Sequence, residues 1–100
     1  MKVYKAYCGW TAESYVQLEG DRWIKFLTMK RSNGTLGTIA QAITRSGYLE
    51  SFVLFRDFNK LVASTTPKRI TQKLVEAQHA AIDFDAVLEE ARDFYAAELA

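Results

Sequence analysis

One hundred residues, 49% of them apolar and 25% charged, carry a net charge of only +1. That composition is enough for one domain, residues 1–100, burying roughly two-thirds of its unfolded surface, and with five glycines and one proline it excludes disordered and collagen-like chains. The near-neutral total hides a division: residues 1–74 hold twelve Lys and Arg against five Asp and Glu, a net of +7, whereas residues 75–100 hold one against seven, a net of −6.

The first part of the chain reads as strands, over a sheet-rich region of about residues 1–64. Met1 to Cys8 is β-branched and aromatic enough for an opening strand, and its first five residues lack the apolar stretch of a secretory leader. Turn signals then recur about every dozen residues, at Gly20-Asp21, Asn33-Gly34, Ser46-Gly47 and Asp57-Phe58-Asn59, the spacing of an antiparallel meander. A two-residue turn at Gly20-Asp21 pairs Leu18 with Trp23 and Val16 with Lys25. It thus collects Val16, Leu18, Trp23, Leu27 and Met29 on one face. Glu13, Gln17, Glu19, Arg22, Thr28 and Lys30, with Tyr15, Ile24 and Phe26, fall on a wetter one.

The same arithmetic at Asn33-Gly34 opposes Thr38 to Met29, Ala40 to Leu27 and Ala42 to Lys25. Residues 35–45 fit two patterns: that strand, or a helix with Leu36, Ile39 or Ala40, and Ile43 on one side, Thr38 as N-cap and Gly47 as stop. Tyr48–Phe55 and Lys60–Ser64 read as further strands. The first holds Phe52-Val53-Leu54-Phe55, and no apolar run in the chain is longer than these four residues, far short of the ~20 residues that span a bilayer.

Helical spacing follows. Thr65 or Thr66 caps a helix over about 67–82, with Pro67 in its first turn and Ile70, Leu74, Ala77 and Ala81 on one face. Asp83 caps a second over about 84–98, whose inward stripe is Phe84, Val87, Leu88, Ala91, Tyr95 and Leu99 and whose opposite side carries Asp85, Glu89 and Asp93. The predicted fold is α+β: a four- to six-stranded, meander-like antiparallel sheet followed by a C-terminal helical hairpin packed on one face.

Chemistry-bearing residues are sparse. Single copies of Cys8 and His79 exclude an intrachain disulfide and a His/Cys zinc set. Cys8 lies in an apolar stretch where a thiol behaves as a small hydrophobe, and His79 reads as solvated or hydrogen-bonded. Asp85, Glu89 and Asp93 recur every four residues and so form a ridge that does not converge on one point. Gly34 and Gly37 lack the lysine and helix of a phosphate loop. The expectation is a non-enzymatic protein with no cofactor and no metal.

Two surface features stand out. Lys68 and Arg69 occupy the first turn of the predicted helix, where the macrodipole disfavours cations, and together with two threonine hydroxyls they suit an anion. The acidic ridge repeats about every 6 Å along its helix and suits a basic partner. The reading is a stand-alone, cytoplasmic regulator or inhibitor that binds another protein, through Asp85, Glu89 and Asp93 flanked by Tyr95 or through an open sheet face. The alternative is nucleic-acid binding through the basic sheet portion, with phosphate contacts from Arg22, Lys30, Lys68 and Arg69 and with Tyr15 and Phe26 available for stacking. An edge strand and opposite charge on the two portions also allow a two-fold dimer, and no membrane span is expected.

Overall fold

The computed structural model describes the backbone of residues 3–8, 10–45 and 52–99, and the side chains of residues 10–44 and 58–97. Five strands, β1 (Val3–Cys8), β2 (Thr11–Glu19), β3 (Arg22–Lys30), β4 (Leu36–Arg45) and β5 (Phe52–Thr65), precede helices α1 (Gln72–Ala80) and α2 (Phe84–Leu99). The strands lie side by side in chain order, every neighbouring pair antiparallel. Both helices pack on one face of this meander, which is the predicted α+β arrangement.

The first hairpin turns where expected, with Glu19 opposite Arg22 and Gly20 in the left-handed region at φ 56°. One residue later the ladder departs from the two-residue arithmetic. Gln17, and not Leu18, pairs with Trp23, because Leu18 is the extra residue of a β-bulge. Val16 therefore faces Ile24, and Tyr15 faces Lys25. A slip of one residue exchanges the two faces of a strand. Ile24 and Phe26, expected on the wetter side, are fully buried with Val16, while Trp23, Leu27 and Met29 alternate onto the opposite face.

The second hairpin departs in the same way. Its loop has three residues, Ser32, Asn33 and Gly34, closed by Arg31 N–H donating to Thr35 O at 2.8 Å and Gly34 N–H donating to Arg31 O at 2.9 Å. Gly34 sits at φ 85°, the left-handed position that ends this class of loop. Thr38 accordingly faces Thr28, Ala40 faces Phe26 and Ala42 faces Ile24. β4 is a strand throughout, which decides between the two patterns for residues 35–45. Leu36, Thr38, Ala40 and Ala42 are buried on the helix side with period two, and Ile39 and Ile43 belong to the other face. Their helix-like spacing is the sum of two strand faces. The Asp57-Phe58-Asn59 corner is also not a turn: Gln41 pairs with Asn59 and Ala42 with Phe55, so the segment bulges out of one continuous β5.

Helix α1 begins at Gln72, five residues later than Pro67. Its cap is Thr71, whose Oγ1 accepts from Leu74 N–H at 3.2 Å, and Thr65 and Thr66 precede an irregular connection. The later start rotates the expected stripe. Val75 and His79 face the sheet, whereas Leu74 is 41% exposed and Ala77 and Ala81 are exposed. Ile70 packs from the connection onto Ala12, Leu36 and Val75. Helix α2 follows expectation: Asp83 Oδ1 accepts from Ala86 N–H at 3.3 Å, and Val87, Leu88, Ala91 and Tyr95 are buried with Phe84 and Phe94 half-buried beside them. The main core joins that stripe to Val16, Ile24, Phe26, Ala40 and Ala42, with Phe84 edge-on to Phe26 at 4.7 Å between centroids. Leu99 and Ser46-Gly47 lie outside the described side chains and backbone respectively.

Candidate binding surfaces

The most extended side-chain hydrogen-bond network among the described residues is inside the molecule. Where α1 crosses the sheet, His79 donates or accepts at both ring nitrogens: Nε2 lies 2.6 Å from Ser14 Oγ and Nδ1 lies 2.7 Å from Thr28 Oγ1. Thr28 Oγ1 is in turn 2.7 Å from Thr38 Oγ1, which accepts from Gln78 Nε2 at 3.1 Å. Gln78 Nε2 also donates to Leu36 O at 3.0 Å, and its Oε1 accepts from Thr65 Oγ1 at 2.6 Å. An amide nitrogen can only donate, so Thr38 accepts there. Ser14, Thr28 and Thr38 are fully buried and His79 is 2% exposed. The Ser14–His79 pair has the spacing of a nucleophile and its base, yet both residues are buried. Its work is to satisfy buried polar groups and seat α1.

Sequence reasoning left His79 as solvated or hydrogen-bonded, of which the structure shows the second, and missed Ser14, Thr28, Thr38 and Gln78. The available signal was three hydroxyl residues at strand-interior positions opposite a helix that offers Gln-His at successive positions. The register slips hid it, because the two-residue turns put Thr28 on the wrong face. The side chain of Cys8 lies outside the described side chains.

On the outside of α2, Asp85, Glu89 and Asp93 are all exposed, and none forms an ion pair with another described residue. Glu90, one position round the helix, is engaged by Lys60 Nζ at 2.6 and 2.5 Å to its two oxygens. Tyr95 does not belong to this surface. It is 5% exposed, and its hydroxyl donates to Trp23 O at 2.9 Å and Ile43 O at 2.8 Å, locking the end of α2 to β3 and β4. Burial pushes its phenol up to about 12.

The four predicted phosphate contacts separate. Arg22 lies at the α2 end of the sheet, its guanidinium 5.8 Å from the Tyr95 ring, in a hollow with Leu18, Glu19 and Arg92. Lys30, Lys68 and Arg69 come together. They line an open cleft of about 570 Å³ with Trp10, Gly34, Pro67 and Ile70. Lys30 closes β3, Trp10 occupies the β1–β2 turn, and Lys68 and Arg69 sit in the connection before α1 rather than in its first turn. No carboxylate is among the described residues that line this cleft. Trp10, which sequence reasoning passed over, is 57% exposed and the most exposed large apolar residue among those described.

The stacking face expected from Tyr15 and Phe26 does not form, since Phe26 is buried under the helices. On the other face Tyr15 donates to Glu13 Oε2 at 3.0 Å, and Lys25 lies 3.9 Å from Glu13 Oε1 and 5.9 Å from the Tyr15 ring. Those three groups are occupied with one another. Among the described residues no His, Cys, Asp or Glu cluster has the geometry to hold a metal, and no helix is long and apolar enough to cross a membrane. The chain matches no protein-family model, no curated protein and no solved structure.

Proposed function

We propose that this protein is a cytosolic, non-enzymatic interaction module, a regulator or inhibitor that acts by occupying a basic surface of another protein with the outer face of α2. The observation that supports it is the combination of rigidity and unmet charge on one helix. The inner stripe and the two Tyr95 hydrogen bonds hold α2 against the sheet, while Asp85, Glu89 and Asp93 are exposed and form no ion pair with another described residue. Like charges at i and i+4 destabilise a helix by a few tenths of a kcal/mol each, and a partner's arginines and lysines would reverse that sign. The edge strands β1 and β5 add a route to two-fold self-association.

The test is a comparison of binding partners. Proteins captured by the native chain are compared with those captured by a Glu89→Lys, Asp93→Lys double variant of unchanged circular dichroism. The reading requires a partner lost on charge reversal and released by salt. An identical set of partners from both chains would remove α2 as the contact surface.

A second reading, nucleic-acid binding, is favoured by one specific observation: Lys30 and the Lys68-Arg69 pair, distant in sequence, converge with an exposed Trp10 on a cleft with no carboxylate among its described lining residues. Steep salt dependence of oligonucleotide affinity would support it.

A further inference from the structure

The cleft at the β1–β2 turn has more built into it than positive charge. We infer that it is a site for single-stranded nucleic acid, in which one base stacks on the indole of Trp10 and the flanking phosphates meet Lys68, Arg69 and Lys30. This rests on the second reading above and names its ligand and its contacts.

The chemistry of the lining leads to that ligand. A 57% exposed tryptophan leaves a large π-face in water, and stacking is the one interaction that every base offers equally. An apolar ligand would use the indole but not the cations. A simple anion would use the cations but not the indole. A nucleotide chain uses both, because its bases and phosphates alternate at a spacing that a pocket of this size can straddle. The volume of about 570 Å³ lies in the range of small-ligand sites, and the opening is concave and shallow. A duplex keeps its base faces hidden in the stack, so an exposed indole reads single strands. Arg69 adds a planar fork that pairs with two phosphate oxygens at once, and the lysines act as point charges beside it.

The walls are held in place before any ligand arrives. The loop carrying Gly34 is stiffened by Asn33, whose Oδ1 accepts from both the N–H and the Oγ1 of Thr35 at 3.0 and 2.6 Å. Pro67 fixes its own φ on the other wall, and Ile70 anchors that wall in the small core of Ala12, Leu36 and Val75. Lys30, Lys68 and Arg69 are all exposed and form no ion pair with a described residue, so binding breaks no internal bridge. Arg31 is not part of the set, because its side chain lies over Gly37.

The experiment titrates the full chain into labelled oligothymidylate, oligouridylate and a mixed-sequence duplex at low and moderate salt. It follows anisotropy and tryptophan emission together. Trp23 is 5% exposed, so quenching on binding reports Trp10. The expected result is tighter binding of the single strands than of the duplex, with quenching, and a loss of about tenfold in Trp10→Ala. The tighter of the two single strands then names the sugar. In Lys68→Ala, Arg69→Ala the slope of log affinity against log salt should become shallower by about 1.4, two single-strand phosphates' worth. Unchanged affinity in Trp10→Ala, or equal binding of the duplex, would overturn the cleft assignment while leaving nucleic-acid binding to another surface. Absence of binding at low salt would overturn both. Trp10 is exposed, so its replacement leaves the core untouched and a lost signal is not a lost fold.

Discussion

Thr28 of β3 and His79 of α1, fifty-one positions apart, meet at 2.7 Å between Oγ1 and Nδ1 in the interior of the protein. The contact is the middle of a chain of hydroxyl, imidazole and amide groups running from Ser14 to Thr65. A sheet with three buried hydroxyls needs a helix that answers them, and α1 answers with His79 and Gln78 where an ordinary amphipathic helix would place leucine. Leu74 is left 41% exposed as a consequence.

Removing the imidazole should therefore cost more than the loss of its volume. His79→Ala takes the imidazole from Ser14, leaves Thr28 with Thr38 alone and opens a cavity, and is expected to lower unfolding free energy by about 2–4 kcal/mol. Thr28→Val, which keeps the shape but removes Nδ1's partner, should cost about 1–3 kcal/mol. Urea denaturation reads both. A loss under 0.5 kcal/mol in His79→Ala would show that the network contributes little.

Tyr95 gives the fold an alkaline limit. Its phenol has an ordinary pKa of 10.0 in the unfolded chain and is pushed up to about 12 by burial in the folded one. A group raised in this way contributes stability that is complete below pH 10 and disappears as pH rises through about 12. Thermal unfolding of the native chain should weaken across that window. Tyr95→Phe should lose stability at neutral pH, since Trp23 O and Ile43 O lose a donor, and should lack this component of the alkaline decline.

The start of α1 can be located by a pair of substitutions. Thr71→Ala removes the hydroxyl that caps Leu74 N–H and should destabilise by about 1 kcal/mol. Thr66→Ala lies in the exposed connection and should stay within about 0.5 kcal/mol of the native chain. The reverse order would return the cap to the position that Pro67 implies.

Gly34 separates strain from crowding. A Cβ there would meet nothing within 4 Å, yet φ is +85°. Gly34→Ala should thus cost about 1–2 kcal/mol from backbone conformation alone. Gly34→Asn, whose side chain tolerates left-handed geometry, should cost less. Chemical denaturation of the two variants distinguishes them, and equal losses would assign the cost to something other than φ.

Much of the architecture was legible in the chain by itself. Turn residues at Gly20 and Gly34, β-branched segments between them and the inward stripe of α2 are local properties, set by φ preferences and by periodicity over a few residues. They determined a meander followed by two helices, and they placed Asp85, Glu89 and Asp93 outside. The acidic and basic division of the chain was likewise visible as composition. What only the tertiary structure decided was register and convergence. One bulge at Leu18 and one extra loop residue before Thr35 exchanged the faces of β3. This buried Ile24, Phe26 and Thr28, because a strand's side-chain period is two and a single residue inverts it. Tyr95, inward already by its spacing, found two carbonyl partners there, and α1 rotated to meet buried hydroxyls, since unpaired polar groups in an interior cost more than an exposed leucine. Trp10, Lys30, Lys68 and Arg69 became neighbours only when three separate segments of chain were folded side by side. No local pattern encodes that distance, which comes from strand pairing and the helix packed against it.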